Sequence, residues 1–351
     1  MSNFDHVTLG QRVVLRSHGA AQALAEEVER RSAGRLLVIA GRSEADLARS
    51  VCSGLPVAAW FEDVVQHVPV AAADRARAVA ADNDVDLVVS IGGGSTTGFA
   101  KAVALTTGLP VVAVPTTYAG SEATNVWGLT DDRTKTTGTD DRVLPRTVIY
   151  DAALTITLPV ALSVASGLNG LAHCVDSLWA PRADPINRAL ATEGATALAE
   201  ALVGIVDDPT DLAARERALY GCYLAAVAFA SAGSGLHHKI CHVLGGRFDL
   251  PHAETHATVL PHVLALNAPH APEAERRLAR VFKAPTAVQG LDQLRKRVDA
   301  PRALRDYGFR EEDIPSAAEA ILPAVPSANP TPVDKNNLTA LLHAAWEGTA
   351  L

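Results

Sequence analysis

Seven of the chain's twelve histidines fall between His237 and His270. His238 and His242 stand four apart, a spacing that puts both rings on one face of a helix. His252 follows a Gly245-Gly246 break and a turn at Pro251, so the three rings can converge on one point. Upstream, Asn169 and His173 repeat the four-residue spacing, with an amide where a carboxylate could have stood. Imidazoles in such numbers serve as metal ligands, as an anion site when protonated, or as proton-transfer groups. Singly, each is also an ordinary helix histidine, and His256, His262, His270 and His343 are read that way.

A second group of residues suits a different ligand. Val88-Val89-Ser90-Ile91-Gly92-Gly93-Gly94-Ser95 is an apolar strand running into three glycines and the start of a helix. Glycine lets the backbone approach a pyrophosphate, and a helix start offers unpaired N–H groups and a favourable dipole. The spacing is not the G-x-G-x-x-G fingerprint, and three glycines after a strand also make a plain tight turn. Pro115-Thr116-Thr117-Tyr118-Ala119-Gly120-Ser121-Glu122 follows the next strand and is dense in hydroxyls. Two such loops side by side could hold a dinucleotide; alone, the second reads equally as a polar crossover loop.

The elements that must position these residues differ between the two parts of the chain. Up to about residue 155, apolar runs at 35–39, 57–61, 85–91, 111–114 and 147–150 read as strands. Amphipathic Ala-rich segments at 20–31, 43–53, 71–81 and 96–105 read as helices. Strand and helix in turn predict a parallel sheet covered on both faces. After Pro159 only helical patterns follow, broken by turn signals at 182–185, 207–209, 233–235, 245–251 and 269–272. A Pro/Ser/Asn-rich loop at 323–332 precedes a last helix at 337–346, and no internal repeat is present. The expected organisation is an α/β domain over 1–157 and an all-helical domain over 158–351, joined without a long linker and enclosing a ligand cleft.

Composition narrows the partners. With 351 residues, 48% of them apolar and 20% charged, the chain reads as globular rather than disordered. Its 31 Lys and Arg against 39 Asp and Glu leave a net charge of -8, which gives no general pull toward phosphate backbones or anionic lipid. No nucleic-acid partner is expected. Apolar stretches such as 221–232 are too short to cross a bilayer, and residues 1–20 lack the order of a secretion signal, so no membrane association and a cytoplasmic location are expected. The four cysteines, Cys52, Cys174, Cys222 and Cys241, match no zinc or redox spacing and read as buried small apolar residues.

Several of these motifs together resemble the iron-containing (group III) alcohol dehydrogenase superfamily. They are Gly92-Gly93-Gly94-Ser95 with Ala100-Lys101, Pro115-Thr116-Thr117 leading to Gly120-Ser121-Glu122, and the spaced histidines of the helical half. Within it, 92–97, Lys135-Thr136-Thr137-Gly138, 142–151 and 235–246 are similar to the signatures of the group that reduces maleylacetate. The resemblance covers the chain from about residue 12 onward.

That resemblance implies NAD(P)H-dependent reduction of maleylacetate, chlorinated forms included, to 3-oxoadipate in the breakdown of hydroxyquinol, resorcinol or chlorinated aromatics. It also implies a Rossmann-like first domain, a helical second domain and a homodimer. Residues assigned to NADH or NADPH are Gly41, Arg42, Gly92, Gly93, Gly94, Ser95, Thr116, Thr117, Tyr118, Ser121 and Lys135. Asn169, His173, His238, His242 and His252 are the catalytic set, with His237, Lys239 and Arg247 for the dicarboxylate substrate. Arg142 and Lys135 are further cations open to its carboxylates.

Metal-dependent relatives use one Asp and three His, which map onto Asn169, His173, His238 and His252. An amide is a weaker, uncharged ligand, so no metal is expected to be required. Histidines partly protonated beside the dianion would take over the polarising role. Gly98 stands where many relatives carry Asp, and the loop after Thr117 is one residue shorter. Gly41-Arg42 replaces the Asp of NAD-specific relatives, leaving the 2'-phosphate of NADPH unrepelled and Arg42 free to pair with it. The alternatives are a metal-dependent alcohol dehydrogenase, a dehydroquinate synthase-like lyase and a non-catalytic binding protein.

Overall fold

The structure is a computed structural model that describes residues 4–131 and 134–349, the side chains of Thr134 and Lys135 excepted. It divides into two compact units: Leu9–Leu158, and residues 4–8 together with the chain from Pro159 onward. Residues 4–8 therefore belong to the helical unit, where a first domain over 1–157 was expected. His6 makes the reason visible, because its Nδ1 lies 2.7 Å from Asp184 Oδ2.

The first unit contains, in order, β1 (Arg12–Arg16), α1 (Ala20–Arg30), β2 (Leu36–Ile39), α2 (Ala45–Val51), β3 (Val57–Phe61), α3 (Val70–Asp82), β4 (Leu87–Gly92), α4 (Gly94–Thr107), β5 (Val111–Pro115), β6 (Val126–Asp131), β7 (Thr134–Thr139) and β8 (Thr147–Asp151). Six strands form a parallel sheet in the order β1-β8-β5-β4-β2-β3. Side chains alternate between its faces, so Leu36, Val38 and Val89 enter one buried cluster with α1 and α2. Leu37, Ile39 and Val88 enter another with α3 and α4. Each such side chain contributes about 1.5–3 kcal/mol by leaving water. Ile39 pairs with Ser90 and Gly92 with Pro115, so the turns after β2, β4 and β5 open along one edge of the sheet.

Two features were not anticipated. β1 is a sheet-edge strand whose Val13 and Leu15 are exposed, so its five residues carry no inward-facing pattern. β6 and β7 form a separate antiparallel pair rich in Thr, where Trp127 lies over Gly138 and a Cβ at 138 would meet the indole at 2.7 Å.

The second unit is built from α5 (Val160–Ser177), α6 (Pro185–Asp207), α7 (Leu212–Ala232), α8 (Leu236–Phe248), α9 (His252–Asn267), α10 (Pro272–Val281), α11 (Ala287–Arg297), α12 (Ile314–Ile321) and α13 (Lys335–Glu347). α6 starts where Asp184 accepts the N–H groups of Ile186 and Asn187, with Pro185 in the first turn. Its 23 residues are long and apolar enough to cross a membrane, contrary to expectation, and its buried face packs in the helical core. Gly194 of α6 and Gly221 of α7 are the reason those two helices come close: a Cβ on either would stand 3.0 Å from the other's carbonyl oxygen.

Gly245 and Gly246 do not break α8, which continues to Phe248 and stops at Asp249, whose φ is 56°. Leu236, Ile240 and Leu244 bury one stripe of α8 against Val259, Ile314 and Leu338. The offset of two residues turns His238 and His242 away from that stripe.

Candidate active site

At the end of β4, Gly92 has a φ of 148°, a conformation that side chains disfavour. A Cβ at Gly92 would lie 2.5 Å from Thr96 Oγ1, one at Gly93 3.1 Å from Thr117 Cγ2, and one at Gly94 3.3 Å from Ala119 Cβ. The glycines thus let the start of α4 pack against the loop after β5. α4 has no side-chain cap, which leaves the first N–H groups of a 14-residue helix for another acceptor. The Thr116 N–H extends the ladder to Gly92 O at 3.1 Å, and Ser121 opens a short 3-10 turn over Ser121–Ala123.

Tyr118 departs from its expected role. Its side chain is fully buried and its hydroxyl donates to Thr155 Oγ1 at 3.2 Å, so the ring serves the unit's interior instead of a nucleotide. Arg42 lies at the surface, its guanidinium 3.1 Å from Asp63 Oδ1. A carboxylate does stand at the end of β2, supplied by Glu44: its Oε2 accepts from Ser43 Oγ at 2.6 Å and lies 2.7 Å from where a Cβ at Gly41 would be. Lys135 belongs to β7, and its side chain lies outside the described residues.

Below these loops is a buried network that sequence reading passed over. Lys101 Nζ donates to Thr124 O, Thr124 Oγ1 and Val126 O at 2.8, 3.0 and 2.7 Å, and Tyr150 donates to Glu122 Oε1 at 2.7 Å. Burial pushes the Lys101 ammonium down to about 7 and the Glu122 carboxyl up, each opposed by the other's charge. Lys101 and Glu122 both stood in motifs that carry the family resemblance, but nothing in their spacing showed that they share one buried network.

In the helical unit, α5, α8 and α9 gather the histidines. The rings of His173 and His238 lie 4.8 Å apart with planes 12° from parallel; His238 is 6.0 Å from His242 and 4.9 Å from His256, and His252 is 4.4 Å from His256. Phe229 of α7 packs on His173 and His238 at 4.8 and 4.3 Å. Asn169 lies on α5 one turn before His173, and Asn169 Oδ1, His173 Nδ1 and His238 Nε2 are buried without a hydrogen-bond partner. Asp176, one turn after His173, accepts from His238 Nδ1 at 2.7 Å.

Three expectations change here. His256, read as an ordinary helix residue, belongs to the cluster. His237, assigned to substrate, is fully buried with Nε2 2.9 Å from His256 Nδ1 and 3.6 Å from Cys241 Sγ, so it backs the site from inside. Partial protonation is not what the burial favours: desolvation pushes His173 down to about 4 and His237 to about 3, and carries His238 and His256 well below the usual imidazole range. Burial pushes Asp176 up to about 7.

The cations are less concentrated. Lys239 is half-buried on α8, Arg247 is exposed near its end with its guanidinium 5.9 Å from the Phe248 ring, and Arg142 is bound to Asp140 at 2.7 Å. His262, His270 and His343 stand apart: His262 is buried near Arg295, His270 meets Thr331 at 3.0 Å and His343 lies 3.9 Å from Glu311. Asp176 was missed because a single acid at the end of an apolar helix carries no pattern; its spacing of three from His173 was the available signal.

A parallel α/β unit with a glycine turn at a strand end, and a helical unit with an imidazole cluster, define a class of two-domain oxidoreductases. The family description "Iron-containing alcohol dehydrogenase" matches residues 11–152, and "Fe-containing alcohol dehydrogenase family, C-terminal" matches residues 163–346. The chain belongs to the iron-containing alcohol dehydrogenase family. It is 44% identical to a maleylacetate reductase from Pseudomonas sp. (strain P51), over 99% of this chain and 98% of that protein. Among solved structures it is similar to an iron-containing alcohol dehydrogenase from Corynebacterium glutamicum, with a TM-score of 0.97, 59% identity and coverage of 99% and 97%. It is also similar to a maleylacetate reductase from Agrobacterium tumefaciens, with a TM-score of 0.94, 40% identity and all of both chains covered.

Membership raises the question of iron. The four residues at the expected ligand positions offer three imidazoles and one amide oxygen, with no anion among them. An amide oxygen is a weaker donor than the carboxylate it replaces, and it leaves the charge of a bound divalent ion unbalanced by these four side chains. The set therefore fits iron less well than one that includes an Asp.

Proposed function

We propose that the chain reduces maleylacetate to 3-oxoadipate with NADH or NADPH, and that it requires no metal ion. The full-length identity to maleylacetate reductases supports the substrate, and the amide of Asn169 among the imidazoles carries the metal-free reading. A dinucleotide would be held by the backbone of Gly92, Gly93, Gly94 and Ser95 and by Thr116 and Thr117. Bound there, it supplies the hydride.

Hydride adds to the alkene carbon beta to the ketone, and the alkene electrons move onto the ketone oxygen as an enolate. A proton then adds to the carbon between. The chain must stabilise that oxygen and deliver that proton. Asn169 brings two N–H donors that a carboxylate lacks, which suits an enolate oxygen as it disfavours a cation. Of the imidazoles, His242 is only partly buried and His252 is exposed, so they are the better placed to exchange protons with water. Phe229 and the burial of His173 keep water from the same wall.

The test is NADH oxidation, followed by absorbance, with fresh maleylacetate in the presence and absence of a strong chelator. Turnover that survives chelation supports the proposal. A second reading, a metal-dependent alcohol dehydrogenase, is favoured by the Asp176–His238 bond, since metal-bound imidazoles commonly donate their other nitrogen to a carboxylate. It requires turnover of simple alcohols that chelation abolishes.

A further inference from the structure

Asp176 is fully buried on α5, yet nearly all of its bonding goes to the first turn of α8. Its Oδ2 accepts from the backbone N–H of Gly235 at 3.1 Å, from the backbone N–H of His238 at 3.3 Å and from the ring Nδ1 of His238 at 2.7 Å. The approach depends on glycine at 235, where a Cβ would stand 2.5 Å from Asp176 Oδ1. α8 has no side-chain cap of its own, so a carboxylate from another helix does this work and holds an imidazole with the same oxygen.

Two consequences follow for the ring. Oδ2 already accepts two backbone N–H groups and so meets the ring as an acceptor: Nδ1 carries the hydrogen and Nε2 is left with a lone pair. The plane is fixed as well, because Phe229 at 4.3 Å and His173 at 4.8 Å pack on the ring that Asp176 grips at its edge. His238 Nε2, buried and without a partner, therefore points one way in one tautomer.

We infer that Asp176 is a positioning residue for the reduction: through Gly235 and His238 it fixes His238 as a hydrogen-bond acceptor at Nε2. This rests on the reading under Proposed function and deepens it by dividing the labour among the histidines. A neutral His238 so held can only accept at Nε2, so the proton for carbon comes from another ring. Asp176 touches neither substrate nor cofactor in this account.

The test pairs a variant with a direct observation of the ring. Asp176→Asn keeps an oxygen for the α8 backbone but offers the ring an amide of either polarity. The expected result is a fall in kcat with maleylacetate of about ten- to hundredfold, with the KM for NADH changed by less than about twofold. A loss of fold would lower the unfolding temperature along with kcat, whereas the positioning role leaves that temperature near the wild-type value. Nitrogen-15 NMR of histidine-labelled wild-type protein, with His238 assigned through His238→Gln, should show Nδ1 protonated and Nε2 bare. That spectrum needs neither a variant at Asp176 nor maleylacetate, so it stands even if the substrate is another compound. An Nε2–H tautomer in the wild type, or an undiminished kcat in folded Asp176→Asn, overturns the inference.

Discussion

The hydroxyl of Tyr150, at the heart of β8, donates to Glu122 Oε1 across 2.7 Å, and both side chains are sealed from solvent. This bond ties the sheet to the loop that follows β5, which Lys101 grips from the other side through Thr124 and Val126. Removing the hydroxyl strands a buried carboxyl. Tyr150→Phe should lower stability by about 1–3 kcal/mol, measured by urea unfolding. An unchanged midpoint would mean that Glu122 finds another donor.

Glu27 yields a prediction about acid. It is buried beneath Arg12, Arg30, Arg31 and Thr147, with Thr147 Oγ1 donating to it at 2.6 Å. Burial alone would raise its pKa; the bonds from Arg30, Thr147 and Arg31 outweigh that and hold it below 4.5. A carboxyl lowered on folding contributes stability above its unfolded pKa, and loses it as pH falls through the folded value. Glu27→Gln should cost about 1.5–3 kcal/mol near neutral pH and less as acid is added, so the two unfolding curves converge below about pH 4. Parallel curves would show that Glu27 does not titrate with folding.

Asn169→Asp restores an anion among three imidazoles. Affinity for zinc or ferrous ion, measured by calorimetry, should rise at least about tenfold, while chelator-treated turnover of maleylacetate falls. Equal affinity in both proteins would contradict the reason given for metal independence.

The end of β2 decides between cofactors. Arg42 pairs with Asp63 at the surface and Glu44 brings a carboxylate over Gly41, so a 2'-phosphate placed there would meet repulsion. Glu44→Gln should improve kcat/KM for NADPH by about three- to tenfold with little change for NADH, on the scale of one charge interaction near a surface. Arg42→Ala should alter the ratio less than Glu44→Gln does; the reverse order would restore Arg42 as the reader of the phosphate.

The central strands and the loops after β4 and β5 were legible because burial on two faces forces continuous apolar runs, and turns at strand ends need glycine. β1 was not, since an edge strand with exposed Val13 and Leu15 is spared that pressure. His238 and His242, like Asn169 and His173, announced themselves by four-residue spacing, and His256 carried the same signal, four residues after His252, but was read with His262 as an ordinary helix histidine. Asp176 was invisible because it acts on a residue of another helix, where distance in space and not in sequence gives it meaning. Glu44 was passed over although it stands in the same short turn as Gly41 and Arg42. The expected protonation of the histidines failed on burial, which spacing does not report.

The bond between His6 and Asp184 joins residues 178 apart in the chain, with the whole first unit strung between them. In synthesis from the N-terminal side, His6 leaves the ribosome with the whole α/β unit still to follow before Asp184 does. Asp184 then serves both its own helix start and His6. A fragment cut after Leu158 would carry the first half of that clasp and never meet the second.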